Sequence, residues 1–395
     1  MRTASKKDIE DIKMVDLTGM MNRIRPELDS AINRVLNSER FIGGEEVEEF
    51  SKELKAALLN RDKEGEEDAF IIPCANGTDA LQIALMALGI GPGDEVIAPA
   101  FTFISTVEVI ALLGAKPVLV DVHADTFNID CGAVENAISE KTKAIVPVHL
   151  FGQCADMGGL MAISNKTGIP IVEDTAQSLL SSYCDDKGMS GRAGLFGAFG
   201  TTSFFPSKNL GCMGDGGALF TRDKNLAQIA KSISNHGGSI RYHHDMVGMN
   251  SRLDSLQAAI LRVKLPHLST YISQRQKAAS IYDDLLKIVE GVEIPVRDEN
   301  STHVFHQYTI LVAGDIRDDV AKGLAEDGIP TGIYYPKGIH EQKAFESLGY
   351  KAGEFPITEK LSKTVLSLPM HTELSSSQQN YIVERLVSRI NDLKS

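Results

Sequence analysis

The chain has 395 residues, enough for two domains with a large core, and its 43% hydrophobic and 24% charged residues are ordinary for a globular protein. A net charge of −13 argues against binding to nucleic acid or to an anionic membrane, and no run of about 18 apolar residues predicts a membrane span. Five cysteines without a CxxC pair, and an N-terminus without an apolar signal stretch, are typical of a cytoplasmic protein, and no motif predicts a metal site.

Apolar, β-rich runs alternate with helical patterns between about residue 70 and residue 265. The first run, Ile71–Cys74, predicts a strand that ends at Asn76, and a helix is predicted over 80–88. Further strands are predicted at 95–99, 117–121, 143–148 and 169–173, and the helices between them at 105–113, 132–139 and 157–166. Strands separated by helices indicate βαβ units and a parallel sheet that is buried on both faces.

The pattern changes near residue 265. An amphipathic helix over 253–265 leads into a charged helical connector over 265–289, which is followed by a strand over 303–313 and a helix over 318–326. We therefore predict a large domain over 1–265 and a smaller α+β domain over 266–395.

The segment Asn76-Gly77-Thr78-Asp79 lies where the first strand gives way to a helix. Free N–H groups at a helix start suit an anion, and the Thr78 hydroxyl adds a donor, so the segment is a candidate phosphate site. The alternative is a plain helix cap made by Thr78 or Asp79.

Lys208 is the candidate nucleophile, since it lies between an aromatic pair and a glycine run in Ser203–Gly217. Apolar surroundings favour the unprotonated amine, whose usual carbonyl partner is pyridoxal phosphate (PLP). That cofactor needs a carboxylate for its ring nitrogen, and Asp174 follows Glu173 at the end of a predicted strand. The alternatives are a surface lysine in a turn and a capping aspartate.

Other side chains could face the same ligand. Gln177 lies one helical turn beyond Asp174, and Phe103, just after a strand end, could stack on a flat ring or simply pack in the core. Further along the chain, Arg241 and Arg252 are candidate clamps for carboxylate or phosphate groups.

The ordered motifs resemble those of the DegT/DnrJ/EryC1/StrS sugar aminotransferases. The likeness runs from about Val15 through Pro99–Phe103, Glu173–Gln177 and Ser203–Gly217 to Ser367–His371. Within the family it is greatest to the bacterial aminotransferases of UDP-2-acetamido-2-deoxy-3-oxo-D-glucuronate. The resemblance implies an α/β, PLP-dependent fold type I architecture, with a mixed, mostly parallel seven-stranded sheet in the large domain.

The resemblance also implies a role for each site residue. Lys208 would bind PLP covalently and move the catalytic proton, Asp174 would pair with the ring nitrogen, and Gln177 with the ring hydroxyl. Stacking on the ring would fall to Phe103. The phosphate would be held by Thr78, by the backbone near Gly77 and Asp79, by Ser203, and by Asn250 of the neighbouring subunit, because family sites lie at a homodimer interface. Substrate binding would fall to Arg252, His371, Arg241 and Tyr335.

The implied reaction is the transfer of an amino group from glutamate to the 3-keto group of a UDP-linked 2-acetamido-2-deoxy-3-oxo-uronic acid, for bacterial O-antigen synthesis. Two alternatives stay open: an aminotransferase for another ketosugar nucleotide, such as a 4-keto-6-deoxy sugar, and a non-catalytic regulator that binds PLP. A PLP-dependent sugar dehydratase is disfavoured, because the dehydratases that the family contains have histidine in place of the lysine.

Overall fold

The computed structural model describes residues 11–59, 69–238, 240 and 242–394. Its helices are α1 (Leu17–Arg23), α2 (Arg25–Ser38), α3 (Glu45–Leu59), α4 (Gly77–Ala87), α5 (Ser105–Leu112), α6 (Cys131–Ala137), α7 (Met157–Thr167), α8 (Lys224–Ile233), α9 (Ser255–Lys264), α10 (Leu268–Leu286), α11 (Arg317–Glu326), α12 (Pro356–Thr364) and α13 (Ser376–Lys394). Its strands are β1 (Phe70–Cys74), β2 (Glu95–Pro99), β3 (Lys116–Val120), β4 (Thr142–Ile145), β5 (Val172–Asp174), β6 (Ser182–Cys184), β7 (Ser190–Arg192), β8 (Phe199–Ser203), β9 (Gly217–Thr221), β10 (Val292–Glu293), β11 (Tyr308–Val312) and β12 (Val365–Leu368).

Seven of these strands form the central sheet, in the order β3-β2-β4-β5-β8-β9-β1. The bridges Ile145–Ile171 and Val148–Asp174 join its two halves. All neighbouring strands run parallel except β9, which is antiparallel to both β8 and β1. The predicted mixed, mostly parallel seven-stranded sheet is confirmed, and its strands carry apolar side chains that are buried by helices on both faces.

Most predicted elements lie within two or three residues of the observed ones, but the strand expected over 303–313 is shorter. Only β11 pairs with a neighbouring strand, because the chain before it bonds elsewhere. The buried Arg275 guanidinium donates to the carbonyl groups of Phe305 and His306, and the Gln307 N–H donates to the Phe151 carbonyl. Residues 303–307 therefore form a loop that is bonded to the turn at Phe151 and to α10.

A second, antiparallel sheet of β10, β11 and β12 packs against α10, α11 and α13. Its apolar core also includes Ile12, from the N-terminal part of the chain. The domain boundary at residue 265 stays a prediction. No helix in the described ranges is both long and apolar enough to cross a membrane.

Candidate active site

A cavity of about 800 Å³ opens at the carboxyl ends of β1, β2, β5 and β8. Ligands of open α/β sheets bind at this edge, because the loops that follow parallel strands converge there. Nine of the predicted site residues line the cavity, namely Gly77, Thr78, Asp79, Phe103, Asp174, Gln177, Ser203, Lys208 and Tyr335.

Lys208 reaches the cavity from the turn after β8, which is closed by a 2.8 Å hydrogen bond from its N–H to the Phe205 carbonyl. Burial lowers the pKa of its amine to about 8, and the nearby Asp174 carboxylate opposes that shift. A minor fraction of the amine is therefore unprotonated near neutral pH, which is more than for a lysine in water and is the form that a nucleophile requires. Because Lys208 is partly buried and lines the cavity, the alternative of a surface lysine is disfavoured.

Asp174 ends β5 and is 6% exposed. One carboxylate oxygen accepts a 3.0 Å hydrogen bond from the Ala176 N–H, and the other accepts a 3.0 Å bond from the Thr106 hydroxyl. The pKa of this carboxyl group is raised overall, because burial outweighs the two hydrogen bonds and the positive charge of Lys208, which lower it. A cationic ring nitrogen is the kind of partner that stabilises such a carboxylate.

Glu173 has a structural function although it precedes Asp174 in the chain. Successive strand residues point to opposite faces, so the Glu173 carboxylate lies away from the cavity. It accepts hydrogen bonds of 2.7–2.8 Å from the N–H groups of Gly194, Phe196 and Gly197. His149 Nε2 lies 3.0 Å from the same carboxylate. Glu173 thereby anchors the turn before β8 to β5.

The start of α4 lines one end of the cavity. Asn76 caps this helix, since its side chain accepts the Asp79 N–H at 2.8 Å, so the alternative of a cap at Thr78 or Asp79 is wrong. The N–H groups of Gly77 and Thr78 have no hydrogen-bond partner in the described part of the chain. A Cβ on Gly77 would lie only 2.7 Å from the Ser203 Cβ, so no other residue fits there without displacement.

Aromatic and amide groups form the opposite wall. Phe103 is 55% exposed within the cavity, so it is not a core residue, and its ring centroid lies 6.2 Å from that of Tyr335. Gln177 accepts the Phe151 N–H at 2.7 Å and donates to the Tyr335 hydroxyl at 3.1 Å. Burial raises the pKa of Tyr335, so its hydroxyl stays neutral and can donate a proton in a hydrogen bond.

The remaining predicted residues lie elsewhere in this single chain. Asn250 is exposed and does not line the cavity, and Arg252 borders a separate surface cavity of about 880 Å³. His371 is buried beside a small cavity of about 20 Å³ that Lys208 also borders. Arg241 lies outside the described residues. The structure therefore brings together the predicted cofactor residues except Asn250, and of the predicted substrate residues it places only Tyr335 in the cavity.

Several lining or supporting residues were missed, namely Thr102, Ser105, Thr106, Asp215, His306 and Gln307. Thr102 and Thr106 are four residues apart, a spacing that places two hydroxyls on one side of a helical turn, so the sequence did carry a signal for them. The sequence carried no such signal for His306 and Gln307, because they reach the cavity only through the loop that shortens β11.

These groups fit PLP. The helix start offers free N–H groups for a phosphate, Asp174 offers a buried carboxylate for the ring nitrogen, and Lys208 offers an amine with a lowered pKa. The exposed face of Phe103 offers an apolar surface for the ring.

The model of the DegT/DnrJ/EryC1/StrS aminotransferase family matches residues 22–387. The chain belongs to this family. It is 46% identical over 379 residues to the "pleiotropic regulatory protein" of Geobacillus stearothermophilus, covering 95% of this chain and 98% of that one. It is also 45% identical over 377 residues to the UDP-2-acetamido-2-deoxy-3-oxo-D-glucuronate aminotransferase of Pseudomonas aeruginosa, covering 95% of this chain and 100% of the relative.

Solved structures share the fold. NtdA from Bacillus subtilis, crystallised with the bound cofactor PMP, is 32% identical, with a TM-score of 0.85 over 96% of this chain and 83% of NtdA. The fold type I architecture and the PLP cofactor are thereby confirmed, as is the predicted enzyme class, a PLP-dependent nucleotide-sugar aminotransferase. Relatives at 42% and 36% identity are named for other sugars, a UDP-N-acetyl-3-dehydroglucosamine in Acidithiobacillus ferrooxidans and a dTDP-3-amino-3,4,6-trideoxyglucose in Streptomyces venezuelae.

Proposed function

We propose that this enzyme transfers the amino group of glutamate to the 3-keto group of UDP-2-acetamido-2-deoxy-3-oxo-D-glucuronate, for a bacterial O-antigen sugar. The observation that carries the catalytic part is the meeting of Lys208 and Asp174 in one cavity, beside the free N–H groups of α4. The choice of sugar rests on the motifs shared with enzymes of that substrate and on 45% identity to the enzyme of Pseudomonas aeruginosa over nearly the whole chain.

Each cofactor residue has a distinct task in this proposal. Bound PLP supplies an electron-withdrawing ring that stabilises negative charge at the carbon bearing the amino group. Asp174 keeps a proton on the ring nitrogen, and Lys208 takes a proton from the α-carbon of the amino donor as general base. The main chain near Gly77 and Asp79 holds the phosphate together with Thr78 and Ser203, while Phe103 and Gln177 hold the ring and its hydroxyl.

The charge of the cavity supports an active site that is shared between two subunits. Among the described residues that line it there is one cationic side chain, Lys208, against the carboxylates of Asp79, Asp174 and Asp215. The cofactor phosphate, glutamate and a UDP-uronate are all anions. Further cations must therefore come from outside this wall, and a neighbouring subunit is a natural source.

The segment that carries Asn250 and Arg252 suits that task. No hydrogen bond or ion pair to Arg252 occurs in the ranges that the structure describes, so its guanidinium is free to meet an anion. Ile240 and Val247, on the same segment, are 68% and 86% exposed, as residues covered by a second subunit would be in an isolated chain. In the proposed homodimer, Asn250 enters the neighbour's phosphate site, and Arg252, Arg241, His371 and Tyr335 bind the substrate.

A panel of ketosugar nucleotides tests the substrate. Glutamate is expected to convert bound PLP to its amino form, and the 3-oxo-uronate is expected to reverse that change fastest. Faster reaction with a 4-keto-6-deoxy sugar nucleotide would favour the alternative substrate class, and faster reaction with a dTDP-linked 3-keto deoxy sugar would favour the kind of substrate for which the Streptomyces venezuelae relative is named. If PLP binds but neither glutamate nor any tested sugar changes its spectrum, the proposed donor and substrate are wrong, and the alternative of a regulator, which the name of the Geobacillus relative suggests, would be favoured.

A further inference from the structure

Two threonines link the cavity wall to the buried carboxylate. The Thr106 hydroxyl, in the first turn of α5, lies 3.0 Å from Asp174 Oδ2. Thr102, four residues earlier, places its hydroxyl 3.4 Å from that of Thr106. The two threonine side chains are 1% and 2% exposed, so water does not compete for these hydrogen bonds.

The carboxylate fixes the direction of this chain of hydroxyls. An ionised Asp174 can only accept, so the single hydroxyl proton of Thr106 points to it. The oxygen of Thr106 is then an acceptor, and Thr102 must donate to it. Hydrogen bonds aligned in this way strengthen one another, and each stabilises the ionised form of the carboxylate.

We propose that Thr106, supported by Thr102, is the positioning residue that keeps Asp174 ionised against the ring nitrogen of PLP. This inference rests on the proposed pairing of Asp174 with that nitrogen. The carboxylate and the ring nitrogen compete for one proton. If the carboxylate gains that proton, the nitrogen–hydrogen bond breaks, an oxygen–hydrogen bond forms, and the ring loses its positive charge.

Few groups determine whether the Asp174 carboxyl group is ionised. Burial raises the pKa of the carboxyl group; the Ala176 N–H and the Thr106 hydroxyl lower it, and Lys208 and His149 act in the same direction through their charge. The Ala176 bond comes from the main chain, so a side-chain substitution leaves it in place. Thr106 supplies the only side-chain hydrogen bond to Asp174 that the described residues show.

The test uses the holoenzyme reconstituted with PLP that carries 15N in its ring. The 15N resonance of the wild type is expected at the position of a protonated ring. Thr106→Val keeps the shape of the side chain but removes the hydroxyl, so the resonance should move toward that of a neutral pyridine. Thr106→Ser should restore the wild-type position, and Thr102→Val should give a smaller shift. The glutamate half-reaction of T106V should slow by about ten- to a hundredfold.

Ser105→Ala is the matched control. Ser105 lies on the same helix, but its hydroxyl bonds Thr78 at 2.8 Å in the phosphate end of the cavity. This variant should weaken PLP binding and leave the 15N resonance in place. If T106V does not fold, Thr106→Ala is compared with Thr106→Ser instead.

Two outcomes separate the inference from the function on which it rests. An unchanged 15N resonance in T106V, together with a shifted one in Asp174→Asn, would overturn the role of Thr106 alone. An unchanged resonance in Asp174→Asn would overturn the pairing of Asp174 with the ring nitrogen itself.

Discussion

The cofactor wall of the cavity and the segment over 235–252 differ in how complete they are within one chain. In the wall, the side chains of Asp174, Gln177 and Thr78 each have protein partners at 2.7–3.1 Å. In the segment, Asn250 and Arg252 are exposed and lie outside that cavity. The contrast shows that one chain brings most of the predicted cofactor residues together by its own folding, whereas Asn250 and Arg252 lie apart from them, as the proposed sharing of the site between subunits requires.

The largest effect is expected from removing the amine of Lys208, which lies in the cofactor wall of the cavity. Lys208→Ala removes both the covalent anchor of PLP and the proton acceptor, so turnover should fall by more than the about 10⁴-fold that general acid–base catalysis alone can supply. Coupled assays would measure the loss, and absorbance would show that the lysine-bound form of the cofactor is gone. Lys187→Ala, which changes an exposed lysine, is the control. Normal turnover in the Lys208 variant would contradict the assignment.

Asp174 and Glu173 provide a matched pair within the same strand. Asp174→Asn should slow the half-reactions by about 10²- to 10³-fold, because a neutral amide cannot hold the ring proton. Its thermal unfolding should change little.

Glu173→Gln should have the opposite effect, destabilising the fold while changing the half-reactions little. It replaces an acceptor of three main-chain N–H groups with an amide that carries two hydrogens, so the free energy of unfolding should fall by about 1 to 3 kcal/mol. Stopped-flow absorbance and calorimetry would separate the two variants. Equal kinetic losses in both would contradict the division of roles between them.

A substitution in the segment over 235–252 should have a smaller and more selective effect on catalysis. Arg252→Ala should slow amination of the 3-oxo-uronate nucleotide by about 10- to 100-fold if the arginine meets a desolvated anion. The glutamate half-reaction should stay close to that of the wild type. Single-turnover measurements of each half-reaction check this, with Lys231→Ala, which borders the same surface cavity, as the control. Equal damage to both halves would mean that Arg252 also binds glutamate or supports the fold.

The contrast between the cofactor wall and the segment over 235–252 also explains which parts of the site could be predicted from the sequence. Lys208, Asp174 and Thr78 follow strand ends in short motifs, so local pattern and a parallel topology were enough to bring them together. His306 could not be found in this way, because its place depends on hydrogen bonds from the distant Arg275 to the loop before β11. Asn250 and Arg252 are a third case, since the function proposed for them depends on a second subunit, and in the single chain they lie outside the cavity.

Mixing subunits of two variants tests directly whether one active site takes residues from two chains. Lys208→Ala and Asn250→Ala chains are each expected to be impaired alone, the first in the amine and the second in the neighbour's phosphate site. After random exchange in a homodimer, half of the dimers are mixed, and one of the two sites in each mixed dimer combines an intact Lys208 with an intact Asn250. About one quarter of the wild-type activity should therefore return. Native mass spectrometry would verify the exchange. No recovery despite mixed dimers would place Asn250 in the site of its own chain, or outside any site, and the two regions would then be equally self-contained.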